Sequence, residues 1–172
     1  DGSYANYTAA RAIDDGEWHH LAVTVDRDRT DGLRWYIDGQ PAGSDDPTAH
    51  QLSVNSTAPL RFGVRTLSND GWWEGDLDEP ALFSRALTAA EIVSMHRAGG
   101  EGLCRCVSDR RRLEAWWTFD DDPRFGPHFG DYADNGNFGQ SLNGTRSIEG
   151  VAGRALLFDG VDDYAEVAAP RV

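Results

Sequence analysis

The sequence predicts an all-β fold of antiparallel strands with one short helix. Three observations carry the prediction. Apolar residues alternate with small or polar ones in short runs, most clearly over Leu21-Ala22-Val23-Thr24-Val25, a period of two. Glycine is abundant, 19 in 172 residues, and clusters with Asn and Asp between those runs, where tight turns need positive φ. One stretch only, opening at Thr88, changes to helical spacing.

The elements follow in order. Residues 18 to 26 form a first strand, and a polar turn from Asp28 to Gly32 leads into a second strand from Leu33 to Ile37. Asp38-Gly39 is a two-residue hairpin turn, because Gly accepts positive φ and Asp tolerates it, so Gln40 to Gly43 returns as a short strand. Residues 59 to 64 make another strand, Asn69-Asp70-Gly71 turns the chain, and Trp72 to Phe83 holds one or two more, with Pro80 at an edge or bulge. Thr88-Ala-Ala-Glu91 is a capping box: the Thr hydroxyl accepts from the Glu91 amide while the Glu91 carboxylate reaches back. Ile92 and Met95 share one helix face, and Gly99-Gly100 ends the helix.

Residues 101 to 112 read as a linker between a first part, 1 to 100, and a second, 113 to 172. The run Arg110-Arg111-Arg112 reads as solvated. Cys104 and Cys106 are too close in sequence for an unstrained mutual disulfide and too few for a structural zinc site; they pair with cysteines elsewhere or stay free. After the linker, Leu113 to Phe119 is an aromatic-rich strand, Asp120 to Asn137 an acidic loop, Ala155 to Phe158 a strand, Asp159 to Asp162 a turn and Tyr164 to Val167 a strand.

The formal net charge of -13, with 29 acidic against 16 basic residues, argues against partners bound through phosphates, nucleic acids and anionic membranes alike. It suits cations, calcium included, or simply a soluble surface. Every basic residue is Arg, a usage that points to a high-GC bacterial source. No apolar run is long enough to cross a membrane, no signal peptide stands at the start, and Asp1-Gly2-Ser3 reads as the interior of a longer chain.

Residues 16 to 26, Gly-Glu-Trp-His-His-Leu-Ala-Val-Thr-Val-Asp, resemble the central strand of laminin-G-like (concanavalin A-like lectin/glucanase) domains. Residues 36 to 39, Tyr-Ile-Asp-Gly, resemble the hairpin that follows it, and residues 75 to 92 the last strand and closing helix. The second part resembles the beginning of such a domain: Ala115-Trp-Trp-Thr-Phe-Asp120 its first strand, Asp134-Asn-Gly-Asn137 its first polar loop, and residues 153 to 164 its next hairpin. The resemblance implies an antiparallel jelly-roll β-sandwich, in the order end first and beginning second, with roughly fifty residues of intervening strands absent by comparison with the family. A tandem array and a circular permutation both produce that order. Neither part has a core of its own, so the two are expected to complete each other, within one chain or by exchange between chains.

Glu74-Gly-Asp76-Leu-Asp78-Glu79 is similar to the carboxylate motif of laminarinase-type hydrolases, and retaining hydrolysis needs two carboxyls about 5 Å apart. The resemblance places the segment in the last strand instead of the cleft strand, and Gly75 stands where the hydrolases carry an apolar residue, so no catalytic residue is expected. His19 and His20, adjacent on a strand, face opposite sides and cannot share a metal: one is expected packed, the other polar. The family resemblance implies a structural calcium where the first and last strands meet, held by Asp78, Asp120, Asp134, Asn135 and Asn137. Trp72 and Trp73 follow a loop, so at least one is expected to be exposed and to meet a sugar face or a protein partner. Asn6, Asn55 and Asn143 fit the glycosylation acceptor pattern, without meaning in a bacterial protein. The expected function is a secreted or cell-surface, non-enzymatic module that binds glycan or extracellular protein. A structural repeat that self-associates through incomplete edges is the alternative, and a glycoside hydrolase a more distant one.

Overall fold

The computed structural model describes residues 7–51, 58–65, 71–101, 112–121, 124 and 126–168. Cys104 and Cys106, Asn6, Asn55, Asn69 and Asp70 lie outside them. The described residues are all-β and antiparallel with one short helix, as predicted, and divide into two compact units.

The first unit comprises the described residues to Gln51 with 85–99. Strands β1 (Leu21–Val25), β2 (Leu33–Ile37) and β3 (Gln40–Asp45) form an antiparallel sheet in that order. The β2–β3 turn has Asp38 at φ 53° and Gly39 at φ 74°, positive at both central positions as a two-residue hairpin requires. Helix α1 (Ala89–Ala98) closes over this turn: a Cβ on Gly39 would stand 3.3 Å from the His96 side chain. Its capping box is formed, with the Glu91 amide donating to Thr88 Oγ1 (3.3 Å) and the Thr88 amide donating to Glu91 Oε2 (2.8 Å). Arg85 donates to both Glu91 oxygens, and these bonds hold that carboxyl down at about 2. Ile92 is the buried residue of the helix.

The alternation in β1 has an outcome that periodicity alone does not give. Thr24 is buried, whereas Leu21, Val23 and Val25 are each about half exposed. Their cross-strand partners Ile37, Trp35 and Leu33 share the same apolar face, and Ile37 and Leu33 are buried. The difference is position: among the described residues β1 ends the sheet and pairs on one flank, with β2. A shallow apolar groove of about 260 Å³ runs along this face between Ala9, Ile13, Leu21, Val23 and Trp35.

The second unit comprises residues 58–65, 71–84, 100–101 and the described residues from Arg112 onward. Its strands are β4 (Leu60–Phe62), β5 (Glu74–Leu77), β6 (Ala81–Phe83), β7 (Leu113–Trp116), β8 (His128–Phe129), β9 (Gly139–Leu142), β10 (Arg146–Glu149), β11 (Arg154–Asp159) and β12 (Tyr164–Val167). They assemble in the orders β10-β11-β5, β4-β12-β9-β8 and β6-β7. Every strand from residues 60–83 thus pairs with a strand from residues 113–167: β4 with β12, β5 with β11, β6 with β7. Pro80 sits outside the ladders, separating β5 from β6, where its missing N–H costs nothing.

One core joins these sheets. Ala115, Trp117, Phe119, Phe129, Leu156, Phe158, Ala165 and Val167 are buried, with Leu60, Phe62, Leu77 and Leu82 packed against them. Phe62 meets Trp117 edge-on at 5.2 Å, and Phe119 meets Phe129 edge-on at 5.1 Å, the geometry ring quadrupoles favour. Fully buried Trp117 needs a partner for its N–H and donates to the Asn137 carbonyl at 2.6 Å.

Candidate functional site

The two tryptophans singled out in the sequence differ in environment. Trp73 is 37% exposed; its amide donates to the Gly63 carbonyl (2.9 Å) and its indole folds back over Gly75. A Cβ at Gly75 would approach Trp73 Nε1 to 3.3 Å, and the backbone there has φ 137°, so glycine is required for this fold-back. Trp72 is half-buried, tilted against the Tyr164 ring at 6.5 Å. The Arg61 guanidinium lies 5.0 Å from the Tyr164 centroid and is fixed by Glu166 Oε2 (2.8 Å), its directly opposed partner across β4 and β12. Trp72, Tyr164 and Arg61 thus lie together, ring beside ring with a cationic edge, and the exposed Trp73 follows Trp72 in the chain. Tyr164 and Arg61 were not recognised from sequence because only strand register places them beside Trp72.

Of the five expected calcium ligands, the structure brings Asp78 and Asp120 onto one loop. Asp78 Oδ2 accepts from the Ala152 amide (2.9 Å), and Asp120 Oδ1 accepts from the Arg154 amide (2.7 Å). Gly150 and Gly153 flank these bonds. A Cβ on Gly150 would overlap Asp78 Oδ2, and one on Gly153 would overlap Asp120 Oδ1. Asp78 Oδ1 is buried without a hydrogen-bond partner. Burial pushes the Asp78 carboxyl up and the nearby Asp120 charge adds to this, while the loop amides oppose it.

Asp134, Asn135 and Asn137 sit instead in a turn beside the start of β7. Asn135 Nδ2 donates to the Leu113 and Glu114 carbonyls, and Asn137 Nδ2 to the Glu114 carbonyl and to Asp131 Oδ2. Their amide nitrogens hold the turn to the strand, and Asp134 takes φ 62° within it. The hub is Asp131, 5% exposed, which accepts from the amides of Trp116, Ala133 and Asn137 as well. Burial opposes its ionisation, yet these bonds together hold its carboxyl below the usual range.

Two carboxylates of the hydrolase-like motif, Glu79 and Asp78, have other partners, while Asp76 Oδ1 is buried without a hydrogen-bond partner. Glu79 Oε2 accepts from the Trp116 indole (2.7 Å), with Glu79 itself at φ 57° past the end of β5, and Asp78 is engaged as above. His19 and His20 divide as expected. His19 bridges Asp15 and Asp38, at 2.9 Å each, and these carboxylates raise its pKa. His20 is half-buried beside His96, with ring centroids 5.9 Å apart; its pKa is lowered, by burial first and by His96 second.

A sequence model of the concanavalin A-like lectin/glucanases superfamily matches residues 1–93, more than half of the chain. The chain belongs to this superfamily. The match spans β1 to β6 and the first half of α1, and therefore includes Trp72, Trp73 and Asp78. The superfamily fold, antiparallel sheets around a shared core, is the fold the second unit displays. Neither a curated protein nor a solved structure matches the chain.

Proposed function

We propose that this superfamily member is a secreted or cell-surface, non-catalytic module that binds a glycan or an extracellular protein through the Trp72–Trp73 rim. The observation that carries the reading is the aromatic ensemble itself: Trp73 exposed, Trp72 backed by Tyr164, and Arg61 held at their side by Glu166. Flat, pre-positioned rings lose little entropy on stacking against a sugar face or a partner side chain. The structural engagement of Glu79 and Asp78 supports the absence of catalysis. Glycan-array and protein-array binding tests the proposal. Saturable binding by the full chain should fall at least tenfold in Trp73→Ala and Trp72→Ala. Release of reducing sugar from a β-glucan, lost in Glu74→Gln, would sink it in favour of hydrolysis.

Calcium belongs to this reading as a structural clamp. Asp78 and Asp120 would hold it, with backbone carbonyls and water completing the six to eight oxygens it takes. The orphaned Asp78 Oδ1 fits such an ion. Calcium should raise the melting temperature of the protein, and Asp78→Ala should remove the clamp's share of the gain; an identical melting curve with and without chelator would remove the ion from the account.

The interleaving of β4–β6 with β7–β12 supports a permuted order in which the two stretches complete each other within one chain. A second reading, a self-associating structural subunit, is favoured by the half-exposed Leu21, Val23 and Val25 at the end of the first sheet. Light scattering decides it: self-association should disappear in Val23→Lys, which places a charge on that edge.

A further inference from the structure

The hairpin between β11 and β12 carries Asp159, Asp162 and Asp163. One carboxylate oxygen of each lies within 4.8 Å of the others. The arrangement follows from the turn. Asp159 Oδ1 accepts from the Val161 and Asp162 amides (2.9 and 3.4 Å), which curls the backbone, and the Asp159 amide donates to Asp163 Oδ2 (3.2 Å). Three negative charges are so gathered at one tip. Glu74, the register partner of Asp159 on β5, packs its Cα, Cβ and Cγ against Gly160.

An acidic turn alone is ordinary surface. The independent observation is Asp163, which is 4% exposed and whose Oδ1 is sealed from solvent without a hydrogen-bond partner. A buried carboxylate oxygen without a protein donor is costly. Glycine keeps its surroundings open: a Cβ at Gly144 would come to 3.0 Å from that oxygen. Burial and the charges of Asp159 and Asp162 push the Asp163 carboxyl up, and the attraction of Arg146 offsets this only in part. A hard divalent cation answers both the repulsion and the orphaned oxygen, since it takes oxygen ligands only and tolerates irregular geometry when it is calcium-sized.

We propose that Asp159, Asp162 and Asp163 form a divalent-cation site of the calcium class, separate from the Asp78–Asp120 pair. It adjoins the aromatic rim, because Tyr164, against which Trp72 rests, follows Asp163 directly.

The test uses the full chain, stripped with chelator and titrated with calcium by calorimetry, and with terbium by luminescence excited through Trp and Tyr. The double variant Asp159→Asn/Asp162→Asn should lose one calcium equivalent and most of the terbium signal, whereas Asp78→Ala should keep the terbium signal and the calcium equivalent that the double variant loses. Asp163→Asn separates a site from a merely structural turn. It preserves the oxygen that accepts from Asp159 while removing the buried charge. Its melting temperature should match or exceed that of the parent in chelator, and its rise with calcium should be smaller than the parent's. Unchanged calcium stoichiometry and terbium signal in the double variant would overturn the proposal, as would an Asp163→Asn protein that gains from calcium as the parent does. The readout is the ion itself, so failure here leaves the binding function of the rim untouched.

Discussion

Removal of the Asp131 carboxylate should be among the most damaging single changes in the second unit. Four N–H groups converge on it: the Trp116 and Ala133 amides on Oδ1 at 3.1 and 2.9 Å, and the Asn137 amide and side chain on Oδ2 at 3.1 and 3.0 Å. Hydrogen bonds to a charged acceptor contribute roughly 1.5–3 kcal/mol each when isolated. Four bonds sharing one acceptor are not additive, and water can reach part of the turn, so about 1 kcal/mol per bond is a sound floor. Asp131→Ala should therefore cost about 4 kcal/mol, a large share of the ~5–15 kcal/mol that holds a domain together. With a urea dependence of about 2 kcal/mol per molar, the midpoint followed by tryptophan fluorescence should fall by about 2 M. Asp131→Asn keeps one oxygen and turns an NH2 toward the other pair of donors, so about half that loss is expected. The carboxyl is held below its ordinary value in the fold, so its contribution is present above the unfolded pKa of about 3.9 and is lost as pH falls through the folded one. The difference between parent and Asp131→Asn should accordingly shrink below pH 4. A loss under 1 kcal/mol in Asp131→Ala, or a difference that grows on acidification, would refute the reasoning.

Three further outcomes follow from the geometry. The adjacent histidines should titrate on opposite sides of 6.5 by NMR: His19 above it, so that its contribution is full at low pH and lost as pH rises through its folded pKa, and His20 below it, so that its contribution is lost as pH falls; coincident titrations would contradict this. Gly139→Ala should destabilise by about 2 kcal/mol or more in urea, because its Cβ would run into the buried Phe129 ring and to 2.8 Å from the Glu166 carbonyl. Glu91→Gln should lower helix and domain stability by about 1 kcal/mol through the weakened cap and the lost Arg85 clamp, read from the thermal midpoint at neutral pH, with little difference from the parent near pH 2.

The strands that were legible in the sequence are those whose side chains decide the matter locally: Leu21–Val25 by alternation, the β2–β3 hairpin by Asp38-Gly39, and helix α1 by Thr88 and Glu91. Strands β8, β9 and β10 were missed. His128-Phe129 lies inside the stretch read as a loop, and Gly139–Leu142 and Arg146–Glu149 have too few β-branched or aromatic residues to signal a strand. Their conformation comes from pairing with β12 and β11, a tertiary fact. The same division holds at the candidate sites. Asp78 and Asp120 could be joined in advance because the family resemblance supplies the missing long-range contact. Nothing local distinguished Asp131, the acceptor, from Asn135 and Asn137, the donors, since all three are ordinary turn formers. Likewise Asp159, Asp162 and Asp163 read as a plain turn until the burial of Asp163 was visible.

The pairing of β4 with β12 has a consequence for biosynthesis. Leu60–Phe62 waits for partners that lie roughly a hundred residues later, Ala165 to Val167. At ribosomal speeds of about 5–20 residues per second, that is ~5–20 s during which the early strand has been made and its neighbour has not. Phe62, destined to pack on Trp117, waits about half that interval for its ring partner to be made. Closure of the sheet is a late, long-range event of the slow kind. The acidic excess around its apolar runs opposes association of the nascent chain until β12 arrives.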